Sequence, residues 1–151
     1  MSDKLKILVI CTHNAGRSQI AEAYLKRLGG DRVDVESAGL EVGNVVNPLV
    51  VDVMKEDGFD LSNKKPQKVF DLFKSGRIFN HTITVCNDAE QKCPIFPGIT
   101  QRWHVPFPDP SKVTGSHEEQ LAQVRTIRDM IKKWVQNPGA DDFVSKVGLL
   151  G

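Results

Sequence analysis

Apolar and polar positions along the chain fall into two alternating rhythms. Leu5-Lys6-Ile7-Leu8-Val9-Ile10 closes in an unbroken apolar run rich in branched residues, the mark of a strand buried on both faces. The period then changes. Ile20, Ala21, Tyr24, Leu25 and Leu28 share one face of a helix over residues 18–28, which Gly29-Gly30 stops. Val33 to Ser37 reads as a second strand ending in Ala38-Gly39. Asn47 caps a helix that runs through Met54; Pro48 takes its first position, where a missing N–H costs nothing, and Gly58 closes it. Pro66 is expected to open another short helix ending near Gly76. Phe79 to Cys86, with Ile83, Val85 and the β-branched Thr82 and Thr84, reads as a third strand, and Gln101 to Val105 as a fourth. The final helix starts near Ser116, carries Glu118 and Glu119 in its first turn, and buries a stripe of Leu121, Val124, Ile127, Ile131 and Trp134.

Strand–helix alternation of this kind predicts an α/β fold: a small doubly wound, flavodoxin-like, four-stranded parallel sheet with helices on both faces. The 151 residues suit one domain, 1–151, and no repeat, linker or low-complexity segment divides them. Residues 137–151 form a tail for which the sequence leaves docking and fraying both open.

Composition narrows the function classes. A net charge of +1 offers no bulk field for nucleic acid or a membrane surface, and no apolar stretch approaches the ~18 residues of a spanning helix. Lys64-Lys65 and Lys132-Lys133 read as solvated faces. The polar start, Met1 to Lys6, leads into an apolar run too short for the core of a signal peptide. The expectation is a cytoplasmic monomer. Its three cysteines, Cys11, Cys86 and Cys93, are odd in number, and in a reducing compartment they point to chemistry more than to a disulfide framework. The Cys86–Cys93 gap exceeds the usual zinc-ligand spacing of about 2–4 residues. His13, His81, His104 and His117 supply no second ligand pair and read as surface or hydrogen-bonded structural residues, so no metal is expected.

The informative segment is Cys11-Thr12-His13-Asn14-Ala15-Gly16-Arg17-Ser18, between a buried strand and a helix N-terminus. A loop there can turn successive backbone N–H groups toward one point, with the helix end adding positive potential. Arg17 supplies a planar fork of donors for two oxygens of a tetrahedral oxyanion. Cys11 lies in the same field, which favours a thiolate beneath the bound anion. Taken alone, Cys11 would read as a small buried apolar residue and Arg17 as a surface residue; the order strand, Cys-x5-Arg-Ser, amphipathic helix argues for chemistry. Arg17 and Cys11 stand where a nucleotide-binding loop needs Lys and Gly, which excludes that alternative.

This loop resembles that of the low-molecular-weight protein tyrosine phosphatase superfamily, and the likeness in strand order and length covers roughly residues 5–136. The resemblance implies a general acid in Asp109-Pro110. The superfamily holds two activities. Its phosphatases carry an aromatic pair just after the acid, where this chain has Ser111-Lys112. Its thioredoxin-coupled arsenate reductases carry two further cysteines, as in Cys86-Asn87-Asp88-Ala89-Glu90-Gln91-Lys92-Cys93-Pro94 followed by Ile95-Phe96-Pro97. A parallel sheet brings the end of the third strand beside the end of the first, and so Cys86 near Cys11.

By that resemblance Cys11 attacks arsenic(V) while the loop from Thr12 through His13, Asn14, Ala15, Gly16 and Arg17 to Ser18 holds the remaining oxygens. Asp109 protonates the departing oxygen, Ser18 bonds Cys11, and Asn14 holds the shape of the loop. Cys86 then attacks Cys11 and Cys93 attacks Cys86, leaving a disulfide that thioredoxin reduces; no tightly bound cofactor is implied. Related reductases hold a potassium ion beside the loop. Asn14, Glu22 and Ser37 match its ligands, but the fourth, acidic position falls near the uncharged Gln67. Two other readings use the same residues: a phosphoester hydrolase whose Cys86 and Cys93 protect Cys11 as a reversible disulfide, and an oxyanion-binding thiol sensor.

Overall fold

The computed structural model describes residues 4–87 and 96–150. Side-chain alternation along β1 (Leu5–Cys11) sets the layers. Ile7, Val9 and Cys11 enter one hydrophobic cluster and Leu8 and Ile10 the other, and none of the five is more than 2% exposed. A strand apolar at every position has both faces covered, which is why its sequence runs on instead of alternating. β1 pairs in parallel with β2 (Val33–Gly39) on one side and β3 (His81–Thr84) on the other, and β3 pairs with β4 (Gln101–His104). The order β2-β1-β3-β4 confirms the four-stranded parallel, flavodoxin-like sheet.

One face is covered by α1 (Arg17–Gly29), α2 (Pro48–Lys55) and α4 (His117–Gln136), whose buried residues join the cluster around Ile7 and Val9. Ser116 and Glu119 cap α4 reciprocally, each side chain bonding the other's backbone N–H, which fixes the start expected near Ser116. The tail docks: a short α5 (Phe143–Lys146) buries Phe143 and Val144 completely in the same cluster. The opposite face is covered by α3 (Val69–Lys74), with Val69 and Leu72 against Leu8, Ile10, Phe79 and Phe96. Among the described residues no helix is long and apolar enough to cross a membrane.

Two elements depart from the sequence reading by more than one residue. The third strand keeps only His81–Thr84 of the expected 79–86, although the Val85 N–H still bonds the Ile10 carbonyl at 2.9 Å. The helix expected from Pro66 starts three residues later, at Val69. Gln67 stays extended because its carbonyl accepts from the Gly39 N–H (2.9 Å) and its own N–H donates to Asn14 Oδ1 (2.9 Å), and Lys68 bridges Gly39 in parallel. Those long-range bonds outweigh the local helical preference of a Pro-initiated segment.

Candidate active site

Ligands of open α/β sheets bind beyond the carboxyl ends of the strands, where the strand order reverses. Here that point lies between β1 and β3. The loop after β1 carries Cys11 to Arg17, Cys86 follows β3 by two residues, and Asp109 follows β4 by five. The topology therefore gathers residues far apart in sequence.

The loop folds tightly about the Cys11 sulfur. The Asn14 N–H donates to Cys11 Sγ at 3.1 Å, and Ser18 Oγ lies 2.9 Å from the same atom. Asn14 Nδ2 donates to Ser18 Oγ at 2.8 Å, which leaves the Ser18 hydroxyl proton to point at sulfur. Asn14 alone among non-glycine described residues has a positive φ, +53°, a conformation that Asn tolerates better than most. Its side chain is why the loop holds that turn: Oδ1 accepts from the Gln67 N–H (2.9 Å) and from Gln19 Nε2 (3.2 Å). Gln19 Nε2 also bonds the Asn14 carbonyl at 3.0 Å.

Two glycines let other elements close on the loop. A Cβ at Gly39 would stand 2.8 Å from the Asn14 nitrogen and 2.9 Å from the Thr12 oxygen, so only glycine lets the end of β2 lie flat against the loop backbone. A Cβ at Gly16 would stand 2.6 Å from Pro110 Cγ, so the residue after the proposed acid seats directly on the loop. Gly16 is also the N-cap of α1, and neither a side-chain cap nor an acid in the first turn competes for the helix N–H groups. That is the electrostatic setting an anion needs.

Arg17 is 2% exposed, with Nη1 donating to the Phe107 carbonyl at 3.2 Å and Nη2 3.6 Å from Asp109 Oδ2. Asp109 is itself fixed, its Oδ1 accepting from the Ser111 N–H (2.9 Å) and hydroxyl (2.8 Å). A cavity of about 230 Å³ opens over these groups, lined by Cys11, His13, Ala15, Gly16, Arg17, Val45, Asn47, Asp109, Pro110 and Ser111. At ~30 Å³ per water, it has room for a tetrahedral oxyanion and solvent. None of those lining residues is Phe, Tyr or Trp, so an aryl ester would find no stacking wall among them. His13 stands at the mouth, with Nδ1 held 3.0 Å from the Glu41 carbonyl.

Cys86 is fully buried and lies 3.7 Å, sulfur to Oγ1, from Thr12, the residue next to Cys11. Cys11 and Cys86 are not joined to each other. Cys93 lies outside the described residues. Of the sequence-derived set, the structure thus brings together Cys11, Thr12, His13, Asn14, Ala15, Gly16, Arg17, Ser18, Cys86 and Asp109.

Sequence reasoning missed Gln19 and the Phe107 carbonyl, and it misread Lys64, taken for a solvated residue. Lys64 Nζ lies 2.6 Å from Oε2 of the buried Glu22. Lys132 likewise pairs with Asp57 at 2.9 Å. Nothing in the local pattern marks these partners, although a Gln beside the signature Ser18 was open to question.

Known proteins fit this geometry. The low molecular weight phosphotyrosine protein phosphatase family matches residues 6–141. The arsenate reductase of Bacillus subtilis is 39% identical over 133 residues, 87% of this chain and 91% of that protein. The thioredoxin-dependent arsenate reductase of Corynebacterium glutamicum superposes with a TM-score of 0.56 at 28% identity, covering 91% of this chain and 65% of that one. A tyrosine phosphatase of Erwinia amylovora, at 20% identity and a TM-score of 0.68 over 91% and 92% of the two chains, shares the fold. With its loop and sheet in this arrangement, and a match across residues 6–141, the chain belongs to the low molecular weight phosphotyrosine protein phosphatase family.

Proposed function

We propose that the protein reduces arsenate to arsenite with electrons from thioredoxin. One observation carries the choice of reductase over phosphatase: a second buried thiol, Cys86, stands against Thr12 beside the nucleophile, near a cavity whose lining among the described residues includes no Phe, Tyr or Trp. The Bacillus and Corynebacterium relatives, both arsenate reductases, support the same reading.

The chemistry runs through the site in order. Cys11 thiolate attacks arsenic(V) while loop N–H groups and the Arg17 fork hold the other oxygens, and Asp109 gives a proton to the departing oxygen, which leaves as water. Cys86 then attacks Cys11 Sγ. The sulfur–arsenic bond breaks, its electron pair stays on arsenic, and arsenite leaves as a Cys11–Cys86 disulfide forms. Cys93 displaces Cys11 from Cys86, and a reduced thioredoxin dithiol takes over the Cys86–Cys93 disulfide by exchange. No tightly bound cofactor is needed, and the reducing compartment that the exchange demands is the cytoplasm.

The test is turnover of arsenate with thioredoxin, thioredoxin reductase and NADPH. Steady NADPH consumption is expected. Phosphoester hydrolysis without it would make the protein a phosphatase, and a single stoichiometric oxidation would make it a thiol sensor.

A further inference from the structure

The side of the oxyanion loop away from the cavity is built against Glu22, and its groups do not fit the potassium ion that the family resemblance implies. Glu22 is 3% exposed; Ser37 Oγ donates to its Oε1 at 2.5 Å, while Lys26 and Lys64 reach its Oε2 at 2.7 and 2.6 Å. Asn14 Oδ1 already accepts from the Gln67 N–H and from Gln19 Nε2. The fourth position is an amide: Gln67 Nε2 donates to the Ser37 carbonyl at 3.0 Å. Each oxygen of Asn14, Glu22 and Ser37 described above therefore has a donor or an ion-pair partner, and an added cation would meet two ammonium groups at a single carboxylate. Burial by itself pushes the Glu22 carboxyl up, but the lysines and Ser37 together hold it below the usual carboxylate range.

We propose that Lys64 is a tethered cation standing in the ion's place, with Gln67 completing the set, so that oxyanion binding by this chain does not depend on potassium. The two residues sit on one short segment stiffened by Pro66, which delivers an ammonium to Glu22 and an amide to Ser37 and Asn14. The path to the nucleophile is continuous: Lys64 holds Glu22, Glu22 holds Ser37, Gln67 ties Ser37 to Asn14, and Asn14 bonds Cys11 Sγ. Lys64 is thus a positioning residue, acting through the loop without touching the anion. A tethered charge pays none of the association entropy a free ion pays. The groove around Glu22, about 370 Å³ and lined by Gln19, Glu22, Lys26 and Lys64 among others, is open to solvent. Gln19 Oε1 is buried there with no hydrogen-bond partner, an acceptor ready for an ion once the Lys64 ammonium is removed.

The inference rests on the oxyanion-loop reading above, so its test uses sulfate binding and melting temperature, which need no turnover. Wild-type protein is expected to melt and to bind sulfate identically in potassium chloride and in tetramethylammonium chloride of equal ionic strength. Lys64→Met should weaken sulfate binding about fivefold in tetramethylammonium, as loss of a half-exposed ion pair would. Potassium should restore it, and Lys64→Arg should retain it in both salts. Lys64→Met combined with Gln67→Asp rebuilds an acidic ligand set, and potassium should raise its melting point by about 2–4 °C. A wild-type protein stabilised by potassium as strongly as that double variant would overturn the proposal. So would a Lys64→Met loss that potassium restores in neither variant, which would leave an ordinary salt bridge. Failure of the wild type to bind sulfate in either salt counts against the oxyanion reading itself, while the melting comparison still decides the role of Lys64.

Discussion

The Asn14 N–H points at the Cys11 sulfur from 3.1 Å, and the same residue holds a left-handed backbone, φ +53°. The surroundings of the Cys11 sulfur thus include a strained residue three positions away, kept there by Gln19 and Gln67. Asn14→Ala should cost about 3 kcal/mol of stability, since it strands buried donors of which each costs ~1–3 kcal/mol. Asn14→Gly removes the backbone penalty of ~1 kcal/mol yet loses the same side-chain bonds. Both variants should lose sulfate binding, read by calorimetry beside urea melts. Wild-type affinity in Asn14→Gly would show that the side chain does not shape the loop.

Arg17 and Asp109 should separate binding from chemistry. Arg17→Lys loses the planar fork that meets the Phe107 carbonyl and lies 3.6 Å from Asp109. Its kcat/KM should fall on the order of 100-fold, with weakened sulfate affinity. Asp109→Asn keeps the Ser111 turn, because an amide oxygen still accepts its bonds, and should bind sulfate normally while turning over ~100-fold or more slowly. Single-turnover rates with arsenate, taken beside sulfate titrations, check the split. Equal losses in both quantities for Asp109→Asn would assign it to binding.

Cys86 and Cys93 carry unequal duties in the proposed relay. Cys86→Ser should release no arsenite in a first turnover. Cys93→Ser should release about one equivalent and stall with a Cys11–Cys86 disulfide, which mass mapping would identify, because exchange requires access to the attacked sulfur and Cys11 and Cys86 are 2% and 0% exposed. Sustained thioredoxin-coupled turnover by Cys93→Ser would refute the three-cysteine order. Phosphoester cleavage, where measurable, should survive in both.

His81 gives the fold an acid-side weakness. Trp103 Nε1 can only donate, so His81 Nδ1 must accept at 3.1 Å, and protonation there would break the bond beneath Phe143. Burial holds the imidazole below its ordinary value of 6.5. The unfolded chain then takes up the proton first, so stability should be full above about pH 6.5 and decline as pH falls below it. Urea melts at pH 7.5 and pH 5.5 should show the drop, and His81→Gln should flatten it. An undiminished drop in that variant would assign the loss to other groups.

The sequence determined the elements and singled out the candidate reacting groups, because both are written in short-range pattern. Continuous branched apolar runs and period-3.6 stripes marked the strands and the long helices, Ser116 and Glu119 fixed the start of α4, and Cys11 with Arg17 after five intervening residues announced an anion loop between a strand and a helix. Tertiary structure decided what stands around them. The segment after Pro66 looked like a helix start, yet Asn14 and Gly39, far away in the chain, hold Gln67 extended. Lys64 looked solvated until the fold brought it within 2.6 Å of a buried carboxylate 42 residues away. The approach of Thr12 to Cys86 spans 74 residues and exists because β1 and β3 are neighbours in the sheet. Hydrogen bonds and ion pairs of that range leave no local periodicity, since either partner alone is compatible with a solvated surface, and only the sheet order makes them meet.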